Sequence, residues 1–525
     1  VRGCDTRVAP DLLEQVRTEC RGQLCARRNG MPPKTRKFVT CTGFGPSHNL
    51  GVYNSNVDTI ERAFVERYFL CKEGDTFRPA LVVNNLSFTS KWFTEFRNVV
   101  CDDMPNLPRL TRQQVVDCYS GPKKVVYGNA LKSLAKEPLC ERDARLTSFV
   151  KFEKQDVQKA PRVINPRSAR FNLELGRFIK HAEHKFFKAI NVAFGKRTKA
   201  TVIKGFNADA SAEILRSKWE LFADPVAVGL DATKFDMHVS QEALVYEHSF
   251  YKYLFPGSQV LTKLLGWQLV NKGVAYAIDG TVKFEMHGTR SSGDLNTSLG
   301  NCLLMCGMLY AYAHEIGVDL ELCNNGDDCV VMMERVSLER FMRILPTWFQ
   351  SKGFSMTVED PVFEFEQIEF CQTHPVQLAT GWRMVRNHLA VLTKDPMCLL
   401  SVPNANVYRK WLDAVGTCGQ ILAAGTPVQE SLYGVFKRGG VNAGDKLIAE
   451  VFRNQSMAGR VKGLTAGVVD ARARVSYYYA FGVLPDVQKQ MESYFDAMQV
   501  GEYRVSSGIV REDMKLEPGL IVNHN

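Results

Sequence analysis

The sequence predicts a mixed α+β fold with an antiparallel sheet backed by helices, and three segments carry that prediction. Residues 225–230 are apolar and rich in β-branched side chains, the character of a buried strand. Residues 288–301 form a loop of small residues that opens an apolar helix through Cys302-Leu303-Leu304-Met305-Cys306. Short apolar runs at 320–323 and 329–333 flank Asn325-Gly326-Asp327-Asp328. That pattern predicts a hairpin turning at Asn-Gly, a dipeptide that tolerates the positive φ of tight two-residue turns.

Composition sets the frame for these elements. A length of 525 residues suggests about three domains, and 45% hydrophobic residues suffice for large cores. The 66 Lys and Arg against 56 Asp and Glu leave +10, which favours a polyanionic partner and is also common among ordinary soluble proteins. The 15 cysteines are odd in number, scattered and never spaced Cys-x-x-Cys, which predicts reduced thiols in a cytosolic compartment. Cys302 and Cys306 are expected to pack in the core rather than hold zinc. His181-Ala182-Glu183-His184 lacks the metalloprotease spacing. No stretch approaches the roughly 18 consecutive apolar residues of a membrane span. The sequence starts at Val1 and reads as a fragment or the downstream part of a longer product.

In chain order, residues 27–37 are basic, Pro-containing and unpatterned, and read as a connector or RNA-facing arm. An aromatic-rich helix is expected from Ala63-Phe64 to Tyr68-Phe69. Residues 151–170 concentrate Lys151, Lys154, Lys159, Arg162, Arg167 and Arg170 against Glu153 and Asp156, either a phosphate-facing surface or a solvated loop. Asp231 stands where the 225–230 strand ends. Asp294 suits the cap of the apolar helix, and Thr297 and Asn301, four apart, share one of its faces. Asp327 and Asp328 repel each other at the hairpin tip unless a cation or strong donors offset them; a solvated turn is the plainer alternative. Mg²⁺ is usually bound by one or two carboxylates plus substrate phosphates, so Asp231 and Asp327 would suffice. Carboxylates from separate strands can hold two ions about 3.5–4 Å apart for in-line phosphoryl transfer.

Taken in order, Asp231-x4-Asp236, then Ser292-Gly293-Asp294-Leu295-Asn296-Thr297-Ser298-Leu299-Gly300-Asn301, then Gly326-Asp327-Asp328 resemble motifs A, B and C of viral RNA-dependent RNA polymerases. Residues 161–177 resemble motif F of the plant tombusvirus family (Tombusviridae), and Ile368-Glu369-Phe370-Cys371-Gln372 its motif E. Gly45-Pro46-Ser47 and Gly51-Val52-Tyr53-Asn54 near the start are similar too.

The resemblance implies a right-hand polymerase with fingers, palm and thumb. An N-terminal basic arm or linker would occupy 1–39, an N-terminal extension and fingers 40–225, palm with motif A 226–250, a fingers insertion 251–283, palm with motifs B to E 284–385, and, by position alone, the thumb 386–525. It implies Asp231, Asp327 and Asp328 as catalytic, metal-binding residues for two Mg²⁺ or Mn²⁺ ions. Lys154, Lys159 and Arg162 would hold the triphosphate, while Asp236, Ser292 and Asn301 would read the ribose 2′-hydroxyl. Arg167, Arg170, Gly293 and Cys371 would contact RNA, and Lys352 would be a general acid.

The implied activity is template-directed nucleotidyl transfer that replicates a positive-strand viral genome, starting without a primer. Implied partners are RNA template and product, nucleoside triphosphates and a viral auxiliary replication protein. The implied setting is the host cytoplasm, at membrane-associated replication complexes anchored through other viral regions. A reverse transcriptase would carry an aromatic-x-Asp-Asp hairpin and lack an acid at Asp236. A non-catalytic RNA-binding or capsid protein would need only basic surface. A polymerase of another positive-strand virus group is disfavoured by residues 161–177. Tyr477-Tyr478-Tyr479 could stack on RNA, although aromatic runs more often fill cores.

Overall fold

The computed structural model describes residues 8, 10–20, 22–44, 49–74, 76–80, 87–195, 198–454, 464 and 467–508, with helices and strands mixed along the chain. Gly45-Pro46-Ser47 lie outside the described residues. A four-stranded antiparallel sheet runs in the order Glu321–Asn325, Asp328–Glu334, Pro225–Ala232, Met356–Val358. Successive side chains on a strand point to opposite faces. Val226, Val228, Leu230 and Ala232 therefore enter one core with the helix Thr297–Ile316, while Ala227, Val330 and Met332 enter another with the helix Ala208–Trp219. Both faces are covered, which is why residues 225–230 read as a continuous apolar run. The helix Thr297–Ile316 is buried without a break from Leu299 to Ala313, Cys302 and Cys306 included, as expected of a helix apolar all round.

The hairpin forms, with its turn one residue later than expected. Asn325 pairs with Asp328, leaving Gly326 and Asp327 as the two turn residues. Only Gly326 of the pair has positive φ, +87°, and a glycine in first place marks a type II′ turn. Asn325 is used otherwise: its Nδ2 donates to Cys371 Sγ at 3.0 Å and its Oδ1 accepts from Lys204 Nζ at 2.7 Å.

A five-stranded sheet takes the order Gln23–Arg28, Gly280–His287, Val270–Ala277, Leu146–Val150, Val163–Ile164. One face, including Leu146, Ala275, Val282, Phe284 and Met286, packs on the helical stretch Val57–Phe64 and Val65–Phe69; the rings of Phe64 and Phe284 lie 4.1 Å apart. The stretch expected as an unpatterned arm starts and ends in strands. Arg27 and Arg28 pair with Thr281 and Gly280, and Lys37 opens the strand Lys37–Cys41. Leu24 and Ala26 are half-buried between exposed neighbours, a period-two signal that the surrounding charge masks. The Val270–Ala277 and Gly280–His287 hairpin runs past residue 283, where the insertion was expected to end.

The C-terminal part is largely helical: Ala405–Ala423, Gln429–Gly439, Asp445–Asn454, Ala471–Phe481 and Pro485–Ala497 enclose a separate core. Tyr477 belongs to that core, whereas Tyr478 and Tyr479 are 39% and 45% exposed. A three-stranded sheet joins the chain's two ends, with Lys37–Cys41 between Met397–Cys398 and Tyr503–Ser507.

Candidate active site

The three acids meet at one end of the four-stranded sheet because the strands are in register there. Asp328 pairs directly with Asp231, and residues directly opposite point to the same face. Asp327 occupies the turn beside them. Like charges held together raise each other's pKa. Burial pushes Asp328 up to about 6, with Asp327 and Asp231 adding to the rise and the Cys371 N–H, which donates to Asp328 Oδ2 at 2.9 Å, opposing it. Asp231 is raised by its partly desolvated setting and by Asp327, while Lys159 acts in the opposite sense.

Asp231 and Asp327 open into a cleft of about 850 Å³. Its walls bring together residues far apart in sequence: Arg67, Tyr68, Lys154, Lys159 and Arg162 from one side, Lys234, Asp236, Ser292, Gly293, Thr297 and Asn301 from another, and Gln372, Thr393 and Lys394 from the C-terminal half. Asp236, Ser292 and Asn301 form one network. Ser292 Oγ donates to Asp236 Oδ2, and Asn301 Nδ2 lies 3.5 Å from Asp236 Oδ1. Asp236 is not the cap of the helix Gln241–Leu254, since Ser240 Oγ fills that role by accepting from Ala243 N at 3.1 Å.

Gly293 has φ +130°, and a Cβ there would lie 3.1 Å from the Asn165 and Pro166 backbone. Ser292 O accepts from Asn165 N at 2.7 Å. Only glycine lets this loop approach the Asn165-Pro166 backbone so closely.

The basic residues of 151–170 divide into two groups. Lys159 and Arg162 are exposed to the cleft; among the described residues Arg162 forms an ion pair with Glu153, at 3.3 Å. Lys154 is mostly enclosed at the cleft wall and donates from Nζ to Lys394 O at 2.6 Å. Arg167 and Arg170, expected on RNA, face the protein instead. The Arg167 side chain is 1% exposed and donates to Asp294 at 2.7 Å, Ala144 O at 2.6 Å and Asn271 Oδ1 at 2.5 Å. Asp294 is thereby the counter-ion of a buried guanidinium rather than a helix cap, and Asn296 holds the cap position. Arg170 donates to Asp143 at 2.8 Å, Ser133 Oγ at 2.7 Å and Pro138 O at 2.9 Å, which uses its whole fork to join two helices.

Two further expectations change. Cys371 does not line the cleft; it holds the hairpin through Asp328 and Asn325. Lys352 is also outside the cleft, its ammonium 4.9 Å from the centre of the Trp348 ring and 5.8 Å from that of Phe93. Burial lowers its pKa, while Glu315 acts in the opposite sense.

Sequence reasoning missed Tyr68, Arg67 and Lys394, which line the cleft from regions without a motif, and Lys234, which lies between Asp231 and Asp236. Arg67 donates to Ala160 O at 2.6 Å and Pro161 O at 2.9 Å, and Tyr53 Oη to Lys159 O at 2.6 Å, so both hold the loop that presents Lys159 and Arg162. It also missed the buried pair of Arg290 and Glu247 at 2.5 Å, which steadies Asn301 through Arg290 Nε at 2.9 Å.

A sheet-end cluster of acids thus lies beside a polar network in a cleft lined by cations. The family model for viral RNA dependent RNA polymerase matches residues 24–502, and the chain belongs to that family. It is 41% identical over 470 residues to the RNA-directed RNA polymerase of Tomato bushy stunt virus (strain Cherry), covering 89% of this chain and 56% of that protein. It is 39% identical over 474 residues to that of Tobacco necrosis virus (strain A), covering 89% and 65%. With that of Oat chlorotic stunt virus it shares 36% over 522 residues, covering 95% and 68%. The chain thus spans less than two thirds of the length of the first two relatives.

Proposed function

We propose that this chain carries out template-directed RNA synthesis for a positive-strand RNA virus of plants. The observation that carries the reading is the direct pairing of Asp231 with Asp328, which brings Asp231 and the turn residue Asp327 into a cleft that also holds Asp236, Ser292 and Asn301. The four-stranded sheet would be the palm, the five-stranded sheet the fingers and the C-terminal helices the thumb.

The donor set fits Mg²⁺ or Mn²⁺. Asp231 and Asp328, with raised pKa values, are clustered hard oxygen ligands of the kind such ions take. Among the described residues no three His, Cys, Asp or Glu are grouped to hold an ion by themselves. Two carboxylates completed by water and substrate phosphates is the arrangement Mg²⁺ favours. When bound, such ions activate a 3′-hydroxyl and neutralise a leaving pyrophosphate. Asp231 and Asp327 would hold them, while Asp328, tethered to Cys371 N–H, fixes the hairpin. Lys159 and Arg162 face the cleft where a triphosphate would lie, and a guanidinium fork suits phosphate oxygens. Asp236 with Ser292 and Asn301 would accept and return hydrogen bonds to a ribose 2′-hydroxyl.

Further parts of the reading are starts without a primer, action with a viral auxiliary replication protein, and work in the host cytoplasm at membrane-associated replication complexes. Among the described residues no helix is long and apolar enough to cross a membrane, so anchoring would come from other viral regions or proteins. The test is incorporation of labelled nucleotide on a short unprimed RNA, with Mg²⁺ or Mn²⁺ and with chelator. Template-dependent product that chelator abolishes is expected. No product with either ion on any RNA would overturn the reading.

A further inference from the structure

One face of the five-stranded sheet is covered by helices, and among the described residues the other is open. On the open face the register lines up one residue from each strand. Arg27 lies opposite Thr281, and Thr281 opposite Tyr276. Tyr276 and Phe149 follow directly on the paired Ala275 and Ser148, and Phe149 lies opposite Ile164. Four interstrand steps make this row about 19 Å long.

Tyr276 is 61% and Phe149 46% exposed. Neither belongs to a core, so packing does not account for two large rings side by side on neighbouring strands. The cations around them are similarly unused. Arg27, Arg145 and Lys283 are exposed and make no ion pair among the described residues; Lys272 reaches Glu285 only at 3.4 Å. Ile164, the last residue of the row, lines the catalytic cleft, so the open face runs into its rim.

We propose that this open face is a platform for single-stranded RNA that holds the template on its way to the cleft, with bases stacked on Tyr276 and Phe149 and phosphates met by Arg27, Lys283 and Arg145. Stacking on exposed rings tolerates any base because every base has a π-face, and the surrounding cations follow the backbone. An open sheet face bearing aromatics is a recurrent way to hold unpaired RNA. The inference rests on the polymerase reading for its direction, though RNA binding itself can be measured without catalysis.

The experiment compares the unaltered chain with the double variant Phe149→Ala/Tyr276→Ala and with Phe149→Tyr/Tyr276→Phe. Binding of labelled oligouridylates of about 16 and about 4 nucleotides is followed by fluorescence anisotropy, and incorporation is measured on each. The double alanine variant should bind the longer RNA roughly tenfold or more weakly. Its KM for that template should rise in step, while incorporation on the short template stays unchanged. The variant with exchanged rings should behave as the unaltered chain. Equal binding of the longer RNA by the alanine variant and the unaltered chain overturns the proposal, as does equal weakening on both lengths, which would show a general loss of structure. Failure of the unaltered chain to incorporate on either template would instead count against the polymerase reading, because the anisotropy arm does not depend on it.

Discussion

Asp236 shows how one side chain can be assigned a job by its partners. It sits on the wall of the cleft with Ser292 and Asn301 as neighbours. A site built to hydrogen-bond a 2′-hydroxyl leaves polar groups unpaired when a deoxynucleotide binds, at about 1–3 kcal/mol per group. Asp236→Asn and Asn301→Ala should therefore lower the ratio of kcat/KM for a ribonucleotide over its 2′-deoxy analogue by roughly tenfold. Equal losses on both sugars would show that the residues serve the fold. Arg162 and Arg167, five positions apart, should part company in the same way. Arg162→Ala should raise KM for nucleotide severalfold with little change in thermal stability. Arg167→Ala leaves Asp294 buried without its counter-ion and should cost about 3–5 kcal/mol of stability, read in a denaturant titration. If Arg167→Ala is as stable as the unaltered chain and loses RNA affinity, the buried assignment is wrong. The acids were legible in the sequence because each lies in a short string with distinctive spacing. Burial was not legible: nothing in residues 162–170 marks which arginine faces Asp294, 127 positions on. The pair of Arg290 and Glu247 was missed for the same reason, its members being 43 positions apart.

At the scale of elements, periodicity was a good guide where a stretch was apolar and a poor one where charge covered it. Residues 225–230 and the helix after Asn301 were clear because both are enclosed on all sides. Gln23–Arg28 was hidden because its outward side chains are basic, and its partner strand lies more than 250 residues on. The hairpin that carries Asp327 and Asp328 was recognised with its turn misplaced, since Asn-Gly is a strong local signal but Asn325 is recruited by Lys204 and Cys371. This predicts a sharp dependence on Gly326. An alanine there must adopt a strongly disfavoured φ, at about 1–3 kcal/mol, or the turn must shift and carry Asp327 away from Asp231. Gly326→Ala should thus reduce kcat at least tenfold while nucleotide KM changes little. Activity near that of the unaltered chain would show that the positive φ at Gly326 is not what holds Asp327 beside Asp231.

Across the whole molecule, the least legible feature is how the chain's ends meet. Tyr503–Ser507 lies beside Lys37–Cys41, and Gly508 N donates to Arg36 O at 2.6 Å while Gly508 O accepts from Asn54 Nδ2 at 2.9 Å. Such pairing across some 460 residues leaves no trace in local pattern, and it links the C-terminal helices to the segment that carries Tyr53 and the cleft loop. Ser506 is in register with Phe38, and proline at 506 removes a ladder N–H. Ser506→Pro should lower the thermal midpoint and speed proteolysis of the C-terminal strand severalfold; unchanged cleavage would show that the strand does not hold the ends together. The central claim, that Asp231 and Asp327 turn this cleft into a site of nucleotidyl transfer, is tested most directly by comparing Asp327→Ala with the unaltered chain on a short unprimed RNA, with RNA affinity measured in parallel. A lost metal ligand removes transition-state charge stabilisation rather than phosphate contacts, so incorporation should disappear while RNA affinity stays within a few-fold. Incorporation within about tenfold of the unaltered chain, a loss of about 1.4 kcal/mol or less, would contradict it.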